Sequence, residues 1–249
     1  MAGALSLLDA RLLLWLNHAV AARPWLYKVC LFLTDEGADI LLVLTAAALW
    51  LWPATWNRTW RAGGAIEVIT RRASRARLLT FGVGAMAAYI TARLIAIAVD
   101  ADRPFVTFLP VRGLPGSFDG LRTFGAFPSD HAALLAALPI AFVRWDRRLG
   151  AAWAAAAILL IAVRVGVGFH YPSDMLAGAA LGLLFGGLAM LAHDRSAAVH
   201  RFTTRIASGF ERLPHAIPLY GLLALVGVEF AMHFSHVMTF LMWLFYKVA

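Results

Sequence analysis

The sequence predicts an all-α fold: a polytopic membrane helix bundle with about six transmembrane helices plus a short N-terminal interfacial helix. Three observations carry that expectation. Of the 249 residues, 61% are apolar and only 14% charged, against about 45–50% and about 25% in a soluble domain, and the mean hydropathy is +0.74. Apolar stretches close to the roughly 20 residues of a bilayer crossing recur along the chain. The basic residues gather in alternate connections. This composition excludes a water-soluble globule, a disordered chain and a nucleic-acid-binding domain, although Lys+Arg number 22 against 14 Asp+Glu. The single cysteine, Cys30, leaves no internal disulfide and no cysteine-based metal site.

Residues 5–20 are apolar, but Asp9, Arg11, Asn17 and His18 do not form one polar stripe, and an interfacial helix is expected there. The opening residues carry neither a basic n-region nor a small-residue cleavage site, so the spans themselves are expected to direct insertion. The spans follow at 25–52 (interrupted by Asp35-Glu36-Gly37), 77–99 (with Arg93 inside it), a short 131–145, then 149–169, 174–192 and 216–246. The last is long enough for a tilted crossing plus an interfacial turn. It holds Glu229, His233 and His236, which read as a structural set because no third ligand lies nearby. No internal repeat or low-complexity linker divides the chain, and 1–249 reads as one membrane domain.

Positive charge in short loops sets orientation. Arg58, Arg61, Arg71, Arg72, Arg75 and Arg77 lie between the first two spans, Arg144, Arg147 and Arg148 between the third and fourth, and Arg195, Arg201, Arg205 and Arg212 between the fifth and sixth. With six spans these loops share one side, which should be cytoplasmic, where they meet anionic headgroups. The loop 100–130 and the turn 166–173 then face outward. In that outer loop Asp100 and Asp102 read as partners of neighbouring arginines.

Three polar clusters fall at the outward span ends: Asp102-Arg103-Pro104-Phe105, Phe127-Pro128-Ser129-Asp130-His131, and the run from Arg164 to His170-Tyr171-Pro172-Ser173-Asp174. Ionisable groups close to hydrocarbon are costly, so a cluster of them facing the bundle signals function. Pro128 and Pro172 stand where helices are expected to begin. Ser129, Asp130 and His131 then occupy one opening turn and Asp174 another, and two helix N-termini offer N–H groups to an anion. Arg103 and Arg164 add planar cationic forks that match phosphate oxygens. Gly166 and Gly168 allow a turn or a close backbone approach. His170 and Asp174 are four apart: the carboxylate can accept from one imidazole nitrogen and leave the other as a nucleophile.

Phosphoryl transfer needs positive charge around the phosphoryl oxygens, an in-line nucleophile and a proton for the leaving oxygen. Arg103, Arg164 and Ser129 would hold the phosphoryl group, His170 would form a phosphohistidine, Asp174 would orient it, and His131 would supply and later remove a proton. No metal or other cofactor is needed, and two arginines would oppose a divalent ion. Arg93 is open to three readings: snorkelling, an interhelical pair, or a phosphate contact. Asp130 is either a base or an acidic complement to the helix dipole.

At these residues the sequence resembles the phosphatidic-acid phosphatase type 2 superfamily, whose pattern is K-x6-R-P, then P-S-G-H, then S-R-x5-H-x3-D. Arg103-Pro104 ends the first motif, Pro128-Ser129-Asp130-His131 is the second, and Val163-Arg164, five residues, His170, three residues, Asp174 is the third, all within residues 89–180. Three positions depart from the pattern: Ala96 stands at the lysine, with Arg93 one turn earlier, Asp130 at the glycine and Val163 at the serine. The variant looks like the bacterial undecaprenyl-diphosphate phosphatase branch. That resemblance implies a lipid carrier diphosphate as substrate, a multi-pass place in the bacterial inner membrane and a site on its periplasmic side. The alternatives are a phosphatase or phosphotransferase for phosphatidylglycerophosphate, phosphatidate or lipid A, and a non-catalytic binder or transporter of phospholipids. A transporter should show repeats or broken mid-membrane helices.

Overall fold

Helix boundaries in this chain are written by a few end-forming residues. In a computed structural model, which describes residues 2–34, 45, 50, 65–107, 109–113, 125–144, 146–211 and 221, the regular structure among the described residues is helical throughout. The elements are α1 (Ala2–Ala21), α2 (Pro24–Phe32), α3 (Ala65–Val99), α4 (Asp130–Val143), α5 (Arg147–Val167), α6 (Pro172–Arg195) and α7 (Ala197–Glu211). Asp146 caps α5 by accepting from the N–H groups of Arg148 at 2.7 Å and Leu149 at 3.0 Å. Gly168, at φ 95°, ends the same helix in the left-handed region that glycine enters without a Cβ penalty. Pro172 opens α6, where its missing N–H costs nothing.

Among the described residues, three helices are long and apolar enough to cross a membrane: α5, α6 and the Arg72–Val99 part of α3. The chain is therefore a multi-pass helical membrane protein. The expected span 131–145 is the shorter α4. Its 14 residues rise about 21 Å at 1.5 Å each, short of a hydrocarbon core of about 30 Å. It compensates by burial: α4 sits between α3, α5 and α6 and packs most extensively on α6. Nine of its residues are buried, from Asp130 to Phe142, so no polar face is wanted. The expected spans 25–52 and 216–246 lie largely or wholly outside the described residues, with Glu229, His233 and His236 in the second; α2 is the described start of the first.

Small residues set the α4–α6 contact. On α6, Gly178, Gly182 and Gly186 recur every fourth residue. A Cβ on Gly178 would stand 2.1 Å from the Ser129 carbonyl oxygen, and one on Gly182 would stand 2.1 Å from that of Ala133. Only glycine allows the two backbones this close. The contact holds the N-termini of α4 and α6 side by side, where the Ser129 N–H donates to the Asp174 carbonyl at 3.0 Å.

Two elements do more than the sequence announced. The N-terminal helix α1, expected at the interface, packs on α5, α2 and α6. Its polar residues form no stripe because each has its own target. Asp9 accepts from the Ser173 N–H at 3.0 Å. Asn17 is fully buried and donates to the carbonyls of Arg112 at 2.8 Å and Gly166 at 3.0 Å. His18 lies 3.4 Å from the Pro110 carbonyl. The basic segment after the fifth span is not simply a loop either. Residues 197–211 form α7, an amphipathic helix laid on α3 and α6.

Candidate active site

Because α3, α4, α5 and α6 alternate in direction, the end of α3, the start of α4, the end of α5 and the start of α6 meet at one end of the bundle. Five charged side chains are buried there: Arg93, Arg103 and Arg164 with Asp130 and Asp174. Ser129 and His170 are buried among them. Three guanidinium groups against two carboxylates leave a positive excess inside the protein, and buried charge is costly until it is balanced. An anion entering the site would meet that positive excess.

His170 is 2% exposed. Its Nδ1 lies 3.0 Å from the Ala126 carbonyl oxygen and its Nε2 lies 3.2 Å from Arg103 Nη1. A carbonyl only accepts and a guanidinium only donates, so the proton sits on Nδ1 and the lone pair on Nε2. Arg103 Nη1 also donates to the Phe169 carbonyl at 3.0 Å, which fixes the guanidinium against the imidazole. Burial, then the cations of Arg103 and Arg164, hold the His170 imidazole well below its ordinary pKa. Burial brings Arg103 down to about 10, which still leaves it charged at neutral pH.

Asp174 stands 3.7 Å from His170 Nδ1, at ion-pair rather than hydrogen-bond distance. Its Oδ2 instead accepts from the Tyr171 N–H at 2.8 Å, closing the first turn of α6. The direct orienting group on Nδ1 is thus a backbone carbonyl, with the carboxylate a second neighbour. No side-chain motif announces Ala126. Its nearest sequence sign is Gly125, where a Cβ would stand 2.4 Å from the Ala96 carbonyl oxygen, so the strand-like approach of 125–126 to α3 requires glycine.

Asp130 is the second residue whose place the sequence left open. Its Oδ1 lies 2.7 Å from His131 Nδ1, and its Oδ2 accepts from Arg93 Nη1 at 3.1 Å. Arg93 thus makes an interhelical pair with Asp130, from α3 to α4. Ser129 is the N-cap of α4, so Pro128 precedes the cap rather than opening the helix. The Ser129 hydroxyl accepts from the Ala132 N–H at 3.3 Å and keeps its own proton to donate. Arg164 Nη1 donates to the Thr34 carbonyl, tying the end of α5 to the chain just after α2, while its charge acts on both Arg103 and His170. The His131 side chain is 28% exposed, far more open than His170. The arrangement thus presents a buried imidazole with its lone pair on Nε2, several cations and a more accessible imidazole held by a carboxylate. Among the described residues, no group of three or more His, Cys, Asp or Glu is placed to hold a metal ion.

These features fit the class of integral-membrane phosphoric-ester hydrolases. Residues 77–198, just under half of the chain, match the PAP2 superfamily. It is 24% identical to the Escherichia coli (strain K12) protein YbjG, whose undecaprenyl-diphosphatase assignment is itself provisional, over 68% of this chain and 74% of that one. It is 27% identical to the undecaprenyl-diphosphatase BcrC of Bacillus subtilis (strain 168) over 65% of this chain and 72% of the other. Over a shorter stretch, 31% of this chain, it is 41% identical to the lipid A 1-phosphatase of Rhizobium etli, a match spanning only 34% of that protein. No solved structure matches the chain significantly.

Proposed function

We propose that this chain removes phosphate from a membrane lipid at the outer leaflet, through a phosphohistidine on His170. One observation carries the reading: two one-way hydrogen-bonding partners put the lone pair of a buried imidazole on Nε2, beside Arg103. Nε2 attacks phosphorus and the bond from phosphorus to the lipid oxygen breaks. The protonated His131 passes its Nε2 proton to that oxygen. The phosphoimidazolium carries positive charge, which the Ala126 carbonyl and the Asp174 carboxylate offset. Water then attacks phosphorus, His131 takes its proton, and the electrons of the N–P bond return to Nε2. Arg103, Arg164 and the Ser129 hydroxyl hold the phosphoryl oxygens.

The substrate class is read as lipid phosphates broadly rather than a polyprenyl diphosphate alone. The higher identity to lipid A 1-phosphatases supports a glycolipid phosphate. The longer matches at lower identity support undecaprenyl diphosphate as the second reading. The outer-leaflet assignment is supported by charge. Arg144, Arg147, Arg148, Arg195, Arg201 and Arg205 lie at or beyond the helix ends opposite the site, as the positive-inside rule requires of a cytoplasmic face.

Phosphate release by purified protein from lipid A, undecaprenyl diphosphate, phosphatidate and phosphatidylglycerophosphate tests this, with His170→Ala and His131→Ala alongside. Release by the parent should fall to background in His170→Ala and by about 10²–10⁴-fold in His131→Ala. Equal release by all three proteins removes the assignment.

A further inference from the structure

Asp130 lies at the first turn of α4, 7% exposed, with both carboxylate oxygens committed to side chains. Oδ1 is 2.7 Å from His131 Nδ1 and also accepts the His131 N–H at 2.7 Å. Oδ2 receives Arg93 Nη1 from α3 at 3.1 Å. A residue that served only the helix dipole would point at solvent or at backbone N–H groups. This one accepts one backbone N–H and in addition bridges a buried guanidinium and a partly open imidazole. The superfamily pattern stated above has glycine at this position and lysine at Ala96, and Arg93, one helical turn before Ala96, is the residue that reaches Asp130.

We infer that Asp130 is a positioning residue for His131, and that Arg93 holds Asp130 in place, making an Arg93–Asp130–His131 relay for proton transfer to the leaving oxygen. The inference rests on the hydrolase reading given above. An ionised carboxylate accepts only, so it keeps the Nδ1 proton of His131 in place and turns Nε2 outward as the exchanging nitrogen. It also balances the imidazolium that must exist before the leaving oxygen departs. In the first step the Nε2 proton moves to the lipid oxygen, and the N–H electron pair stays on Nε2. In the second step a proton from water returns to Nε2. The Asp130 carboxylate stays ionised throughout, as does Arg93.

The relay matters only when the leaving oxygen is basic. An alkyl or glycosyl phosphate departs as an alkoxide and needs the proton, whereas p-nitrophenyl phosphate departs as a weakly basic phenolate and does not. kcat/KM reports the steps through formation of the phosphoenzyme. Asp130→Asn is therefore expected to lower kcat/KM for dioctanoyl phosphatidate or lipid A by on the order of 10²-fold. For p-nitrophenyl phosphate kcat/KM should change by less than about 5-fold, while phosphoenzyme accumulates because water activation is slowed. Arg93→Gln should show the same selectivity with a smaller loss. Retained phosphorylation by p-nitrophenyl phosphate itself demonstrates a folded site, and if D130N does not accumulate in the membrane, Arg93→Gln carries the comparison. Equal losses on both substrate types, or no loss on either, overturn the inference while leaving the hydrolase reading intact. A parent that releases phosphate from none of these substrates removes that reading and the inference with it.

Discussion

A buried imidazole hemmed in by two cations is a poor base for protons and a ready nucleophile for phosphorus. His170 is held well below its ordinary pKa of 6.5, first by burial and then by Arg103 and Arg164. The acid limb of kcat/KM that belongs to His170 should accordingly lie below pH 6.5, and a limb at or above that value would place the nucleophile elsewhere. The same shift has a stability consequence. Above pH 6.5 His170 is neutral in both folded and unfolded chains and adds no pH dependence. As pH falls below 6.5, the unfolded chain binds a proton that the folded site refuses, and stability declines toward the lower folded value. Thermal melts in detergent from pH 7 to pH 5 should show this decline in the parent and less of it in His170→Gln. The residues that gather here were legible in the sequence: Arg103, His131, Arg164, His170 and Asp174 stand at fixed gaps, beside Ser129, which caps α4, and Pro172, which opens α6. The Ala126 carbonyl was not, because a backbone acceptor leaves no side-chain signature. The partners of Asp130 were hidden for a different reason, since Arg93 lies 37 residues earlier on another helix.

Among the elements, the α4–α6 seam decides whether these side chains meet at all. Gly182 and Gly187 lie five residues apart on α6, yet a Cβ on Gly182 meets the Ala133 carbonyl at 2.1 Å and one on Gly187 meets nothing within 4 Å. Gly182→Ala should destabilise the protein by about 1–3 kcal/mol through overpacking and reduce turnover by separating Asp174 from Ser129. Gly187→Ala should be neutral or gain up to about 1 kcal/mol, because alanine favours the helix. Melting temperature and phosphate release of the two variants check both, and identical behaviour would deny the seam its role. The long helices α3, α5 and α6 were readable from apolar length alone. The role of α1 was not: Asp9 and Asn17 look misplaced on a helix until the N-terminus of α6 and the end of α5 are seen against them.

At the scale of the whole molecule, charge separates the two ends of the bundle. The site end buries Arg93, Arg103 and Arg164, and the opposite end exposes Arg144, Arg147, Arg148, Arg195, Arg201 and Arg205, with Arg144 paired to Asp194 at 2.6 Å. An outward-facing site places Asp102 outside the cell membrane and Arg201 inside, and both side chains are exposed. With Cys30 replaced by serine, a membrane-impermeant maleimide should label Asp102→Cys in intact cells and Arg201→Cys only after permeabilisation. The reverse pattern would invert the orientation. On the proposed reading, the enzyme would meet its substrate without lifting the lipid from the bilayer, because Arg103, Arg164 and His170 gather where three membrane-crossing helices end or begin.

The central claim is a covalent one: phosphate passes through Nε2 of His170. Purified protein mixed with ³²P-labelled lipid phosphate and quenched within a turnover should carry an acid-labile, base-stable label. Mass spectrometry should map that label to His170, and His170→Ala should carry none. Label on any other residue, or full product release from His170→Ala, would contradict the account.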